Sequence, residues 1–170
     1  MTLTKIEIGS LDTPLGRLEV AVHEGALVVL RFDVDWGVGG GDDLGRRFPE
    51  AELEPADDPA GMVSVLAAYF DGDVRAIDGV VVDVEGTPFQ EAVWKATREV
   101  PAGETATYGD IANVIGAPRA MRAVGSALGR NPVGIVVPCH RIVPASGGIG
   151  KYGGGEHRKA WFLAHEAAVI

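Results

Sequence analysis

Residues 135–143 read Ile-Val-Val-Pro-Cys-His-Arg-Ile-Val, and no other stretch constrains the chain so tightly. Apolar runs flank Cys139 and His140 on both sides, and such runs go inside, carrying the thiol and imidazole with them. Cys139 is the only cysteine. A free cysteine by itself is usually a small buried hydrophobe. A thiol beside an imidazole, followed by the glycine-rich run 147–155, reads instead as a nucleophile in a pocket. One cysteine forms neither an internal disulfide nor a CxxC zinc site, and His23, His140, His157 and His165 are scattered. The expectation is a reducing cytoplasm, with no metal and no cofactor.

The first half carries the signals of a small antiparallel sheet with a helix. Residues 3–9 and 17–22 are rich in β-formers, with a turn at Thr13-Pro14-Leu15-Gly16 between them. His23-Glu24-Gly25 turns the chain into a further strand over 26–32. Residues 33–43 are rich in Asp and Gly and read as a surface loop, and 44–48 allow a turn or two of helix. Asp57-Asp58-Pro59 opens a predicted helix to Phe70, with Val63, Leu66, Ala67 and Phe70 inward. Val80–Val84 is predicted as a last strand, and Glu85-Gly86 as a boundary between domains 1–85 and 86–170.

The second half is predicted to be mainly helical. Thr87-Pro88-Phe89-Gln90 is a capping box with proline at the first helical position, and Phe89, Val93 and Ala96 are expected inward. Thr107-Tyr108-Gly109-Asp110 opens a second helix to Ile115, and a third runs from Arg119 to Leu128. Short helices joined by the Gly116-Ala117-Pro118 turn have the form of a helix-turn-helix. Met121, Val124 and Leu128 make the predicted apolar face of the third helix. Arg119, Arg122, Gly125, Ser126 and Gly129 make a basic face with little bulk, suited to close approach by a large polyanion. A final helix from Glu156 to Ala167 is expected to turn Trp161, Phe162 and Leu163 inward, with Glu166 beside them in need of a partner.

Charge is divided unevenly. Residues 1–85 hold 18 acidic and 6 basic side chains, a balance of −12; residues 86–170 hold 6 and 9, a balance of +3. Asymmetry of this kind points to a polyanion partner for the second half. Arginine outnumbers lysine 11 to 4, and an acid-rich, lysine-poor chain suits a salty cytoplasm. No apolar run approaches bilayer length, and the first residues lack the basic and apolar regions of a signal peptide.

Pro138-Cys139-His140-Arg141-Ile142-Val143, with Arg130-Asn131-Pro132 before it, resembles the active-site motif of the O6-alkylguanine-DNA alkyltransferases. The resemblance continues in order through Thr87-Pro88-Phe89-Gln90, Thr107-Tyr108-Gly109-Asp110-Ile111-Ala112, Arg122-Ala123-Val124-Gly125, Gly150-Lys151-Tyr152 and Leu163-Ala164-His165-Glu166. It is dense over 86–167, while the first half matches only in its pattern of strands and a helix.

The resemblance implies an α+β protein: a ribonuclease-H-like N-terminal domain with an antiparallel sheet, then a helical DNA-binding and alkyl-acceptor domain. It implies single-turnover transfer of an alkyl group from O6-alkylguanine, and from O4-alkylthymine, in duplex DNA to Cys139 after base flipping. His140 takes the thiol proton through a water, Glu166 holds the imidazole, Tyr108 donates to the departing guanine and Asn131 braces the turn. Arg122 fills the vacated stack from the minor groove, with Arg119, Ala123, Gly125 and Ser126 against DNA. Pro138, Ile142, Tyr152, Gly153 and Gly134 form the substrate pocket, with backbone carbonyls of Cys139 and Ile142 reading the guanine amine. Gly153 stands where relatives often carry serine, and Gly134 where they carry proline or alanine, which opens the pocket to bulkier groups. The implied partner is lesion-bearing double-stranded DNA, the implied state a monomer. Two other readings remain at this stage: a lesion-binding protein that transfers nothing, and a Cys-His hydrolase.

Overall fold

A sheet of order β3-β2-β1-β4 is built from β1 (Lys5–Thr13), β2 (Gly16–His23), β3 (Ala26–Phe32) and β4 (Glu52–Pro55) in the computed structural model. The structure describes residues 3–34, 36 and 42–168, and the chain divides into two compact units, Met1–Val84 and Glu85–Ile170. In the first unit, β1, β2 and β3 form an antiparallel meander. Glu24 and Gly25 both have positive φ, 49° and 82°, the backbone that a tight two-residue hairpin requires. Leu18 to Val22 are buried without a break, because β2 is covered on both faces. Ile6, Ala21, Val28, Val29 and Leu44 form one core cluster, with Trp36, Phe48 and Leu53 packed on it. Helix α2 (Met62–Phe70) packs against β1.

Four expectations for this unit are corrected. The sheet is mixed rather than antiparallel, since β4, which no β-forming run announces, pairs parallel to β1. The helix expected from Asp57 begins at Met62, after a 3-10 turn at Pro59–Gly61 in which Ala60 and Gly61 take φ of 51° and 75°. Asp58 reaches past that turn, its Oδ1 accepting from the backbone N–H groups of Val63 (2.8 Å) and Ser64 (3.2 Å). The re-aimed helix buries Leu66 as expected, with Met62 and Tyr69 in place of Val63, Ala67 and Phe70. Val80–Val84 forms a single bridge, Leu27↔Val82, and Val81 is 64% exposed. Arg47 holds the chain there, donating to the Asp83 carbonyl and pairing with its carboxylate. Of the loop expected at 33–43, residues 35 and 37–41 lie outside the described residues. Asp42 already begins helix α1 (Asp42–Arg47).

The second unit holds α3 (Pro88–Arg98), α4 (Tyr108–Val114), α5 (Met121–Gly129) and α6 (Glu156–Ala168). Two-residue strands β5 (Ala106–Thr107) and β6 (Ile142–Val143) pair parallel. The Thr87–Gln90 and Thr107–Asp110 capping boxes form in full, each satisfying two N–H groups that a helix start leaves open. Helix α3 packs on α4 and α5, and Trp94 Nε1 donates to the Ala127 carbonyl at 2.8 Å. Because Trp94 takes that inward position, α3 buries Val93, Trp94 and Thr97, and Phe89 and Ala96 are only half-buried. Helix α5 starts two residues later than expected and buries Val124, Ala127 and Leu128, leaving Met121 52% exposed. Helix α6 buries Lys159, Phe162 and Glu166, with Trp161 and Leu163 half-buried. Among the described residues no helix is long and apolar enough to cross a membrane.

Candidate active site

The chain approaches the site through a buried turn. Val137 N–H returns to the Val133 carbonyl at 3.0 Å, and Ile135 sits at φ 71°. That backbone costs a β-branched residue about 1–3 kcal/mol and persists only when its surroundings hold it. Ile135 is 1% exposed, packed in apolar core. Asn131 fixes the far side of the turn: its Nδ2 donates to the Val137 carbonyl at 2.8 Å and its Oδ1 accepts from Val133 N–H at 3.0 Å. The same Nδ2 lies 3.2 Å from Cys139 Sγ.

Cys139, His140 and Arg141 form a 3-10 turn, which sends successive side chains in different directions. Cys139 is half-buried and faces a cavity of about 1000 Å3. His140 and Arg141 point the other way and are fully buried. Glu166 receives both: its Oε2 lies 2.8 Å from His140 Nε2, and its oxygens accept from Arg141 Nε (2.8 Å) and Nη2 (2.9 Å). Arg141 Nη1 donates to the Val100 carbonyl at 2.8 Å, tying the turn to the end of α3. Burial works against the Glu166 charge, but the bonds from His140 and Arg141 prevail and hold its carboxyl well below the usual range. An ionised Glu166 accepts only, so His140 Nε2 carries the hydrogen and Nδ1 is the ring's acceptor. Nδ1 is buried with no hydrogen-bond partner among the described residues. Burial pushes the imidazole pKa down, so the ring is neutral near pH 7.

Burial also pushes the Cys139 thiol up, while the Asn131 bond and the Lys159 charge draw it down. Lys159 is 1% exposed and donates to the Ile142 carbonyl at 2.7 Å and the Lys151 carbonyl at 3.3 Å. Burial lowers its pKa, and the nearby sulfur opposes that. Tyr108, the first residue of α4, and Tyr152 both line the cavity. Burial raises both phenols, and the sulfur's charge adds to it, so each keeps its O–H. Gly150 has φ 76°, and a Cβ there would sit 2.9 Å from Pro144, so only glycine lets the loop close over Tyr108.

A family model described as 6-O-methylguanine DNA methyltransferase, DNA binding domain, matches residues 88–168. The methylated-DNA–protein-cysteine methyltransferase of Mycobacterium tuberculosis is 42% identical over 164 residues, covering 95% of this chain and 92% of that protein. The chain belongs to the methylated-DNA–protein-cysteine methyltransferase family. The Salmonella typhimurium member is 45% identical over 124 residues, covering 73% of this chain and 72% of that protein. The crystal structure of M. tuberculosis OGT in complex with DNA aligns with a TM-score of 0.79 at 39% identity, covering 96% of this chain and 94% of that one.

In this methyltransferase-family chain, Cys139, Tyr108, Arg122, Gly125, Ser126, Tyr152 and Gly153 meet on the wall of one cavity. His140 and Glu166 lie together behind the turn, and Asn131 beneath the sulfur. Gly134, Pro138 and Ile142, expected in the pocket, do not line it. Gly134 is spent in a bridge to Val137, and the Pro138 and Ile142 side chains face the core. The Ile142 carbonyl already accepts from Lys159. Arg119 and Ala123 are exposed outside the cavity wall. Sequence reasoning missed Arg141 and Lys159. An arginine inside an apolar run demands a carboxylate, and Lys159, Phe162 and Glu166 share one helical face by their spacing.

Proposed function

We propose that the chain repairs O6-alkylguanine in duplex DNA by moving the alkyl group to Cys139, and is consumed in doing so. The observation that carries this reading is the sulfur's placement: open to a roomy cavity on one side, held by Asn131 on the other, with a neutral imidazole next in the chain. His140 Nδ1 takes the thiol proton through a water, and Glu166 stabilises the imidazolium through Nε2. The sulfur lone pair forms a bond to the alkyl carbon as the carbon–O6 bond breaks toward guanine. Tyr108 gives the departing base a proton, recovered in turn from His140. The sum is one thiol and one O6-alkylguanine becoming one thioether and one guanine. O4-alkylthymine enters by the same route.

The lesion must leave the stack to reach Cys139. The reading takes α4 and α5, joined by a turn with Gly116 at φ 77°, as a helix-turn-helix whose second helix enters the minor groove. Arg122 fills the gap and Arg119, Ala123, Gly125 and Ser126 approach the strands; small side chains at that face support it. Residues 86–170 are then the DNA-binding and acceptor domain, and 1–85 a ribonuclease-H-like domain, its four-stranded sheet backed by α2. The chain works as a cytoplasmic monomer, without a cofactor. Incubation with excess O6-methylguanine duplex tests this: repair stops at one lesion per chain, whereas continued turnover refutes it.

A further inference from the structure

Helix α5 lines the cavity with Met121, Arg122, Gly125, Ser126, Leu128 and Gly129; Leu128 is buried, and Met121 is the exposed apolar side chain among them. Of the large apolar side chains exposed among the described residues, Leu3, Val81, Val114 and Met121, it is Met121 that lines the cavity holding Cys139. Single exposed hydrophobic residues are ordinary on a surface. This one is not placed at random. It is the first residue of α5 and adjoins Arg122, and its sulfur lies against Gly109 of α4, 3.6 Å from where a Cβ would stand. One turn along, a Cβ on Gly125 would meet the Tyr108 ring at 3.8 Å. Met121, Gly109, Tyr108 and Gly125 thus make a continuous apolar wall at the mouth of the site, beside the Arg122 and Arg119 cations.

The amphipathic pattern of α5 would have buried Met121 with Val124 and Leu128, but the helix instead turns Val124, Ala127 and Leu128 inward. The methionine is therefore left at the cavity mouth without full cover. We propose that Met121 is a DNA-contact residue of this chain. Its thioether packs on the sugar and base of the nucleotide bordering the extruded one, while Arg122 occupies the vacated stack. A nucleotide fits because it offers what this wall and its neighbours offer in complement: an apolar sugar and π-face beside a phosphate that the two arginines attract. A flexible, unbranched side chain also accommodates whichever base lies there.

The inference rests on the proposed function, and the test separates the two. Binding of an O6-methylguanine duplex is measured for wild type, Met121→Ala and Met121→Leu over a salt series, with transfer to duplex and to free O6-benzylguanine alongside. The alanine variant is expected to bind duplex about five- to tenfold more weakly, the scale of half a methionine's apolar surface losing its cover. Its transfer loss on subsaturating duplex exceeds that on free base by a similar factor. The salt slope stays that of wild type, since no phosphate contact is removed, and leucine restores most of the affinity. Equal binding by the alanine variant, or equal losses on duplex and free base, overturns the role of Met121 and makes it a strut between α4 and α5. Wild-type transfer on the same duplex tests the function independently.

Discussion

Asn131 Nδ2 stands 3.2 Å from Cys139 Sγ while the same amide closes the buried turn that delivers the cysteine. One side chain thus couples the shape of the turn to the charge state of the sulfur. Asn131→Ala leaves the Val137 carbonyl and Val133 N–H without partners, which costs about 2–3 kcal/mol of stability. It also removes a donor from the thiolate. The thiol pKa, read from iodoacetamide rate against pH, should rise in any fraction that remains folded. A pKa unchanged from wild type limits Asn131 to bracing.

Acid should unfold the protein in two stages. Burial depresses the His140 pKa below its ordinary 6.5, so its contribution is complete above that pH and is lost as pH falls through the folded value. Glu166 is held below its ordinary 4.5, and its contribution disappears at lower pH still. Melting temperature should begin to fall near the first value and fall again below the second. Glu166→Gln abolishes the second stage and leaves Arg141 buried without its carboxylate, a loss of about 3–5 kcal/mol. A melting temperature that climbs on acidification from neutral would contradict the burial of both groups.

Lys159→Met keeps the length and packing of the side chain but removes its charge and its bonds to the Ile142 and Lys151 carbonyls. The thiol should titrate higher and alkylate more slowly at pH 7, because a cation that favours the thiolate is gone. Matching iodoacetamide profiles for the variant and wild type would remove Lys159 from the sulfur's electrostatics.

Arg122→Ala should lose far more activity on duplex than on free O6-benzylguanine, since only the duplex requires extrusion. Its repair rate should also depend less steeply on salt. Parallel losses on the two substrates would make Arg122 a structural residue of the cavity wall.

The sequence made some of this legible and hid the rest for physical reasons. Capping boxes at Thr87 and Thr107 depend on neighbours three residues apart, so they could be read directly. Cys139, His140 and Glu166 stood out because each is a polar group set among apolar ones. Strand β4 was hidden because Glu52–Pro55 has little β-forming character and pairs only because β1 offers an edge. The inward faces of α3, α5 and α6 were misjudged by a residue or two, because Trp94, Ala127 and Lys159 each found a specific partner or fit. Lys159 in particular looks like a surface lysine until the Ile142 carbonyl is seen above it. Gly134, Pro138 and Ile142 were placed in the pocket by position in the motif, but none of them lines the cavity: Gly134 bridges to Val137, and Pro138 and Ile142 are buried.

The most direct test is intact-mass measurement, followed by peptide mapping, after reaction with a duplex carrying one O6-methylguanine. One methyl group should appear per chain, on Cys139, and Cys139→Ala should bind the duplex and gain nothing. An unchanged mass after the lesion has been repaired, or a methyl group on any other residue, would contradict the account.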